Sequence, residues 1–426
     1  MQKQRLTSCG EARKLCLTRQ NWFPLDESWS FAKETHVTDQ PAALAGVKVL
    51  DLATLLAGPL IATTLGDFGA DVVKVEHPRG DDARRWGQSV GEVPLWWKVI
   101  SRNKKLISLD LHKPEDRAIV RELCLWADVV VENFRPGRLE SWGLGYDELS
   151  QENPGLVMVR VTGFGQTGPY SNQPGFGTLA EAFSGFAALT GEPDGPPTLP
   201  PFGLADSVAG LSGAFAVLAA LHWRDNGGNG HGQVVDLSLY EPLFTILGPQ
   251  IVEYDKLGLI QHRQGNRSPR TAPRNTYKTI DDHWVALSAG TQQIANRVFE
   301  AIEQPELSED PRFASPMARH DNSDAIDAIV ADWVAAQTLE RVLARFALAQ
   351  APIAPVYTTD QIVEDPQFLA RETVINVEDA DLGSIRMQNV VPKLSATPGR
   401  IRHTGATAID HDREEVLGRL AASADR

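Results

Sequence analysis

The sequence predicts an α/β protein: a doubly wound domain on a parallel sheet, followed by a smaller α/β domain. Three observations carry this. Short, nearly continuous apolar runs recur at 47–52 (VKVLDL), 71–76 (DVVKVE), 128–132 (DVVVE) and 156–162 (LVMVRVT), the pattern of strands buried on both faces. Helical stretches separate the runs, and alternation of the two element types forces parallel pairing. After 262 the composition changes, and a region with its own strand and helix patterns begins.

Taken in order, the strand at 47–52 turns at Ala57-Gly58-Pro59 into a helix through Phe68, and 71–76 is the second strand. Strand, helix and strand make one βαβ unit. The turn lacks G-x-G-x-x-G, so a dinucleotide site has no support. A strand at Leu106–Leu109, a helix at Pro114–Trp126 and the strands at 128–132 and 156–162 follow. GFGQTGP (163–169) is then a loop at a strand end, where ligands collect in open parallel sheets.

Next comes GLADS (203–207), followed by the apolar run VAGLSGAFAVLAAL (208–221). The run reads as a helix buried on all sides, with Asp206 and Ser207 where an N-cap belongs. There the helix dipole favours the ionised carboxylate by about 0.3–1 kcal/mol. An ionised, poorly hydrated carboxylate is a competent nucleophile, although capping alone also explains these residue types. NGGNGHG (226–232) turns the chain into an alternating strand at 233–240, and the basic stretch 262–274 reads as a linker or active-site loop. Residues 277–360 carry a short strand, Trp284–Ser288, and three helical patterns; one more helix, 413–422, lies in the tail.

A net charge of −14 over 426 residues excludes a general nucleic-acid binder. Cys9, Cys16 and Cys124 have neither disulfide nor metal-ligand spacing, so no metal and a reducing, cytoplasmic location are expected. No run reaches the ~18 uninterrupted apolar residues of a membrane span. Residues 1–45 start basic (Lys3, Arg5, Arg13, Lys14, Arg19) and read as an extension; organellar targeting is the alternative.

GVKVLDLATLLAGP (46–59), GDFGADVVKVEHP (66–78), SRNKKLISLDL (101–111), VENFRPG (131–137), GFGQTGP (163–169) and GLADS (203–207) occur in this order. Together they resemble the family III CoA-transferases. The resemblance implies a Rossmann-like large domain, a small domain and an interlocked homodimer, with the C-terminal segment returning to the large domain. The expected bounds are 46–240 with 390–426 for the large domain and 262–360 for the small one, with linkers at 241–261 and 361–389. It implies Asp206 as catalytic nucleophile and coenzyme A as acyl-CoA co-substrate, with no tightly bound cofactor.

Carried over by motif, the CoA-binding positions are Thr54, Leu55 and Leu56 after the first strand and His77 with Arg79 after the second. Leu109, Asn133 and Phe134 follow at later strand ends, with Arg84 and Lys104 as candidate phosphate contacts. Some members carry arginine where His77 and Ser141 stand. A polyglycine loop known in formyl-CoA transferases is absent, and SAGTQ (288–292) falls at a comparable place.

Gln166, Phe176 and Arg270 are assigned to the substrate. Arg267, Arg270 and Arg274 suit the second carboxylate of a dicarboxylic acid, though a solvated basic loop explains them equally well. The expected reaction moves CoA from succinyl-CoA or another dicarboxylyl-CoA to a carboxylic acid through an aspartyl anhydride and an aspartyl-CoA thioester. Two rivals stand beside it. A 2-methylacyl-CoA racemase needs a G-H-D motif where this chain has Gly175-Phe176-Gly177, and phenylalanine cannot transfer a proton. A non-catalytic CoA-binding protein is the other.

Overall fold

A computed structural model describes residues 42–424; the basic start and most of the expected extension lie outside the described residues. The described residues divide into two units, 269–356 and 42–268 with 357–424. The small unit is thus shorter at both ends than 262–360.

The larger unit is built on six strands: β1 (Lys48–Asp51), β2 (Asp71–Glu76), β3 (Lys104–Ser108), β4 (Val129–Glu132), β5 (Val157–Thr162) and β6 (Val234–Ser238). Their order is β3-β2-β1-β4-β5-β6, all parallel. The order reverses between β1 and β4, so a crevice opens at the carboxyl ends of that pair. Neighbouring residues face opposite sides. Val49, Val131 and Val159 meet helices α1 (Ala57–Asp67) and α4 (Leu204–Asn226) through Ile61, Leu65, Ala209 and Val217. Leu50, Val130 and Met158 meet α2 (Pro114–Trp126) and the terminal helix α10 (Arg413–Ala424) through Val120, Leu123 and Val416.

Between α2 and α4 lies the short helix α3 (Gly177–Phe183); α5 (Tyr240–Thr245) and α6 (Gln250–Leu257) follow β6. The C-terminal segment returns to β3, the sheet's edge, where Asp412 and Asp410 accept from the amides of Leu106 (2.8 Å) and Ser108 (2.6 Å). Side-chain acceptors thereby block further strand addition.

The expected linkers are structured. Residues 241–261 carry α6 and most of α5. Residues 361–389 carry the hairpin β10 (Val374–Asp379) and β11 (Gly383–Gln388). Lys98, buried, anchors the hairpin through Asp379 (2.8 Å) and Asp381 (2.6 Å). Its two strands have too few apolar residues for sequence pattern to reveal them.

α4 also differs from expectation. Close approach to α1 leaves no room for side chains at Gly210 and Gly213, which lie against Leu60 and Ile61. The opposite face is uncovered, with Leu211, Phe215 and Leu218 exposed. Among the described residues α4 alone is long and apolar enough to cross a membrane by length and composition.

The smaller unit has an antiparallel sheet ordered β9-β8-β7, from β7 (Arg274–Lys278), β8 (Trp284–Ser288) and β9 (Ile353–Pro355). Helices α7 (Gln292–Ala301), α8 (Ser323–Ala335) and α9 (Leu339–Leu348) pack on it through Phe299, Val330 and Phe346.

Candidate active site

Helix α4 begins at Leu204, with Gly203 as its N-cap, so Asp206 stands inside the first turn rather than at the cap. Ser207 is no cap either: its hydroxyl donates back to the Gly203 carbonyl (2.7 Å). The leading amides of α4, those of Leu204 and Ala205, donate instead to Oε1 of Glu181 on α3 (3.0 and 3.3 Å). Glu181 is 2% exposed. Helix N-terminal amides need acceptors, and here a carboxylate from another helix supplies one.

Asp206 itself is half-buried. Burial first, and the Glu181 charge second, push its carboxyl up to about 6. The dipole argument alone predicts the opposite direction. It fails because burial outweighs it, and because Glu181, which takes the leading amides, adds a like charge. No cation pairs with Asp206 among the described residues.

Two glycines shape the pocket around this carboxylate. At Gly177, the first residue of α3, an added Cβ would overlap Asp206 Oδ2. At Gly203 it would come within 2.7 Å of Leu56 and 3.2 Å of Asp206 Oδ2. The loop 163–169 is drawn in by backbone contact between Gly163 and Gly175, where neither has room for a side chain. Within it, the Gln166 amide donates to the Asp236 carboxylate (3.0 and 3.1 Å). The Gln166 side-chain Nε2 is buried without a hydrogen-bond partner among the described residues. Phe164, Tyr170, Phe183 and Tyr240 stack around the loop, mostly edge to face.

The loop after β1 reaches the same place through Leu56, and it is held from two sides. Asn133 clamps the Thr54 backbone, its Oδ1 accepting from the amide and its Nδ2 donating to the carbonyl, both at 2.9 Å. The Leu55 amide donates to Asp81 (3.2 Å), and Lys74 donates to the Ala53 carbonyl. Leu55 sits at φ 68°, a left-handed conformation that L-residues seldom adopt.

Of the expected CoA contacts, Thr54, His77 and Arg79 are exposed, and Phe134 lies edge-on to Trp142 at 5.3 Å. Asn133 spends both ends of its amide on the loop, so its part is to brace. Leu56 and Leu109 are core residues, 6% and 2% exposed.

Two expectations are corrected. Lys104 is fully buried between Asp51 (2.9 Å) and the Pro59 carbonyl (2.7 Å), out of reach of any nucleotide. Arg84 makes two 2.7 Å bonds to Glu76, another to the Thr407 carbonyl, and stacks over Trp97 at 4.0 Å. Its guanidinium is committed to the fold.

Phe176 is 60% exposed and directly precedes Gly177. Arg270 is exposed and, with Arg274, belongs to the smaller unit; Arg267 belongs to the larger. Sequence reasoning reaches Glu181 only as a candidate substitute for the racemase base, set aside in favour of an ordinary helix residue of GTLAEAFSGF, and not as a partner of the α4 amides. Its one sequence signal is the four-residue spacing from Gly177, which puts both on one face of α3.

Residues 44–407 match CoA-transferase family III. The succinyl-CoA–D-citramalate CoA-transferase of Chloroflexus aurantiacus is 45% identical over 90% of this chain and 96% of its own length. The succinyl-CoA–L-malate CoA-transferase beta subunit of the same organism is 41% identical over 90% and 95%. Among solved structures, a CAIB/BAIF family protein from Brucella suis superposes with a TM-score of 0.79 at 32% identity, over 89% of this chain and all of that one.

Proposed function

The chain belongs to CoA-transferase family III, and we propose that it moves CoA from succinyl-CoA to a short dicarboxylic or hydroxydicarboxylic acid, with Asp206 as nucleophile. The half-buried carboxylate at the start of α4, without a cation beside it among the described residues, is the observation that carries the mechanism. The names of the citramalate and malate relatives support the substrate class.

The Asp206 carboxylate attacks the thioester carbonyl, forming a mixed anhydride and expelling CoA thiolate. The thiolate attacks the aspartyl carbonyl, giving an aspartyl-CoA thioester and the free donor acid. The acceptor carboxylate attacks that thioester, forming a second anhydride and releasing the thiolate once more. The thiolate then takes the acceptor's acyl carbon and restores Asp206. Every step conserves the thioester's free energy, so no external energy source is required. A carboxyl titrating near 6 is mostly ionised at neutral pH, yet less stabilised than a solvated aspartate.

Phe176, the exposed neighbour of Gly177, and the buried Gln166 amide are assigned to the substrate side; His77 and Arg79 are placed at the CoA phosphates. Water must be excluded from the anhydrides. The uncovered apolar face of α4, together with exposed Ile251, Val252 and Leu257 on α6, supports assembly with a second copy of the chain. Sedimentation of the purified protein as a monomer would refute that assembly.

The reaction is tested by mass spectrometry of CoA esters in heavy water. The mixture holds succinyl-CoA, a 2-methylacyl-CoA and a panel of dicarboxylic acids, with Asp206→Ala as control. A new CoA ester lost in the control is the expected result. Deuterium at an α-carbon without any new ester would indicate isomerase chemistry instead.

A further inference from the structure

The reaction described above uses one carboxylate, but the site contains two. Gly177 and Glu181 are four residues apart on α3 and share the face that meets the first turn of α4. Gly177 admits Asp206 against the α3 backbone. Glu181, one turn on, bonds the two leading amides of α4 at 3.0 and 3.3 Å and is almost wholly buried. A plain helix cap does not require a carboxylate there; Ser, Thr or Asn on the chain's own N-cap serves that purpose. This helix has Gly203 at its N-cap and takes its acceptor from a different element.

We propose that Glu181 is a positioning residue of the transfer reaction: it occupies the amides of Leu204 and Ala205 and sets a second negative charge beside Asp206, withholding those two donors from the nucleophile. The inference rests on Asp206 being the nucleophile. Asp206 keeps its own backbone amide as a donor, and a carboxylate with fewer such donors is more basic and more nucleophilic than one with more. The same two bonds fix the first turn of α4, and therefore the direction from which Asp206 approaches a thioester.

The charged groups on other elements packed against α4 do not supply this effect. On β5, Arg160 is paired with Glu132 and Glu140. On β6, Asp236 accepts the Gln166 amide, and on α5 Glu241 is bonded by Ser238 (2.7 Å) beside Tyr240. On α1, Asp67 is paired with Arg102 (2.7 Å). On α4 itself, His222, Arg224 and Asp225 lie at the far end, about 24 Å along the axis. Glu181 is the leading charge acting on Asp206.

The test compares pH profiles of kcat/KM for CoA transfer in the full-length protein, its Asp206→Ala control, Glu181→Gln and Glu181→Asp. Glutamine keeps an acceptor for the amides and removes the charge. Its acid limb is expected to move from near pH 6 by about one unit toward acid, with kcat at pH 8 reduced several-fold and melting temperature retained. Aspartate keeps the charge and shortens the reach: its acid limb stays near pH 6 while kcat falls.

An unshifted limb in Glu181→Gln overturns the proposal. If that variant does not fold, an unchanged kcat in Glu181→Asp overturns it, and a lowered kcat with the limb near pH 6 sustains it. Should Asp206→Ala transfer CoA at the wild-type rate, the underlying nucleophile assignment fails, whatever the Glu181 variants do.

Discussion

Two clusters of buried carboxylates lie in the larger unit, and they behave oppositely. Beside β1 and β2, Asp51 and Asp81 are matched by Lys74 and Lys104, all four essentially without solvent contact. Burial alone would raise Asp81. The Lys74 charge and the amides of Ala83 and Leu55 outweigh it, and its carboxyl is held below the usual range. Burial likewise opposes the charge on Lys74, yet Asp51, Asp81 and Glu76 raise it. Between α3 and α4, Asp206 has burial and a second carboxylate, with no cation among the described residues, and its carboxyl rises to about 6. One residue type thus has its carboxyl lowered in the first cluster and raised in the second, according to the sign of its neighbour.

The contrast is broken or sharpened by substitution. Asp206→Ala is expected to lower kcat at least about 10³-fold, because removing a nucleophile disables the whole sequence; steady-state transfer assays measure it. Asp81→Asn leaves Lys74 short of its partner and is expected to cost about 3–5 kcal/mol, read as a denaturation midpoint. Gly177→Ala pushes the Asp206 carboxylate aside, and a displacement near 1 Å costs about 10²-fold in kcat, with little change in melting temperature.

Asp206→Asn should run opposite to Asp81→Asn. The folded-state carboxyl is raised, so its contribution to stability is full below the unfolded value near 3.8 and is lost as pH rises through about 6. At pH 7.5 the asparagine variant is therefore expected to be more stable by about 1–3 kcal/mol, and equal to wild type near pH 3.5. The smallest effect separates two arginines: Arg79→Ala raises KM for the CoA ester several-fold at constant melting temperature, whereas Arg84→Ala lowers the melting temperature and leaves KM unchanged.

The parallel sheet was legible in the sequence because strands buried on both faces leave long apolar runs, and 71–76 and 156–162 read as strands at once. The hairpin at 374–388 was not, because its strands gain stability from one buried lysine, Lys98, nearly three hundred positions earlier. Lys104 read as a candidate phosphate contact for a related reason. A lysine is buried only when paired, and its partner Asp51 is 53 residues away on another strand.

At the site, Asp206 was legible as an acid before an apolar helix, but its ionisation was not. That depends on how α3 docks, a tertiary fact that brings Glu181 onto amides 23 and 24 residues ahead. Gly177 was read only as a missing acid, whereas the structure gives it a positive reason: any side chain there would displace the Asp206 carboxylate.

The most direct test of the account is to catch Asp206 in the act. The protein is incubated with succinyl-CoA between pH 5 and 8, quenched with hydroxylamine, and the modified peptide located by mass spectrometry. The account predicts a hydroxamate on Asp206, its yield rising with pH through about 6. Continued turnover with Asp206 unmodified, or a hydroxamate on Glu181 instead, would contradict it.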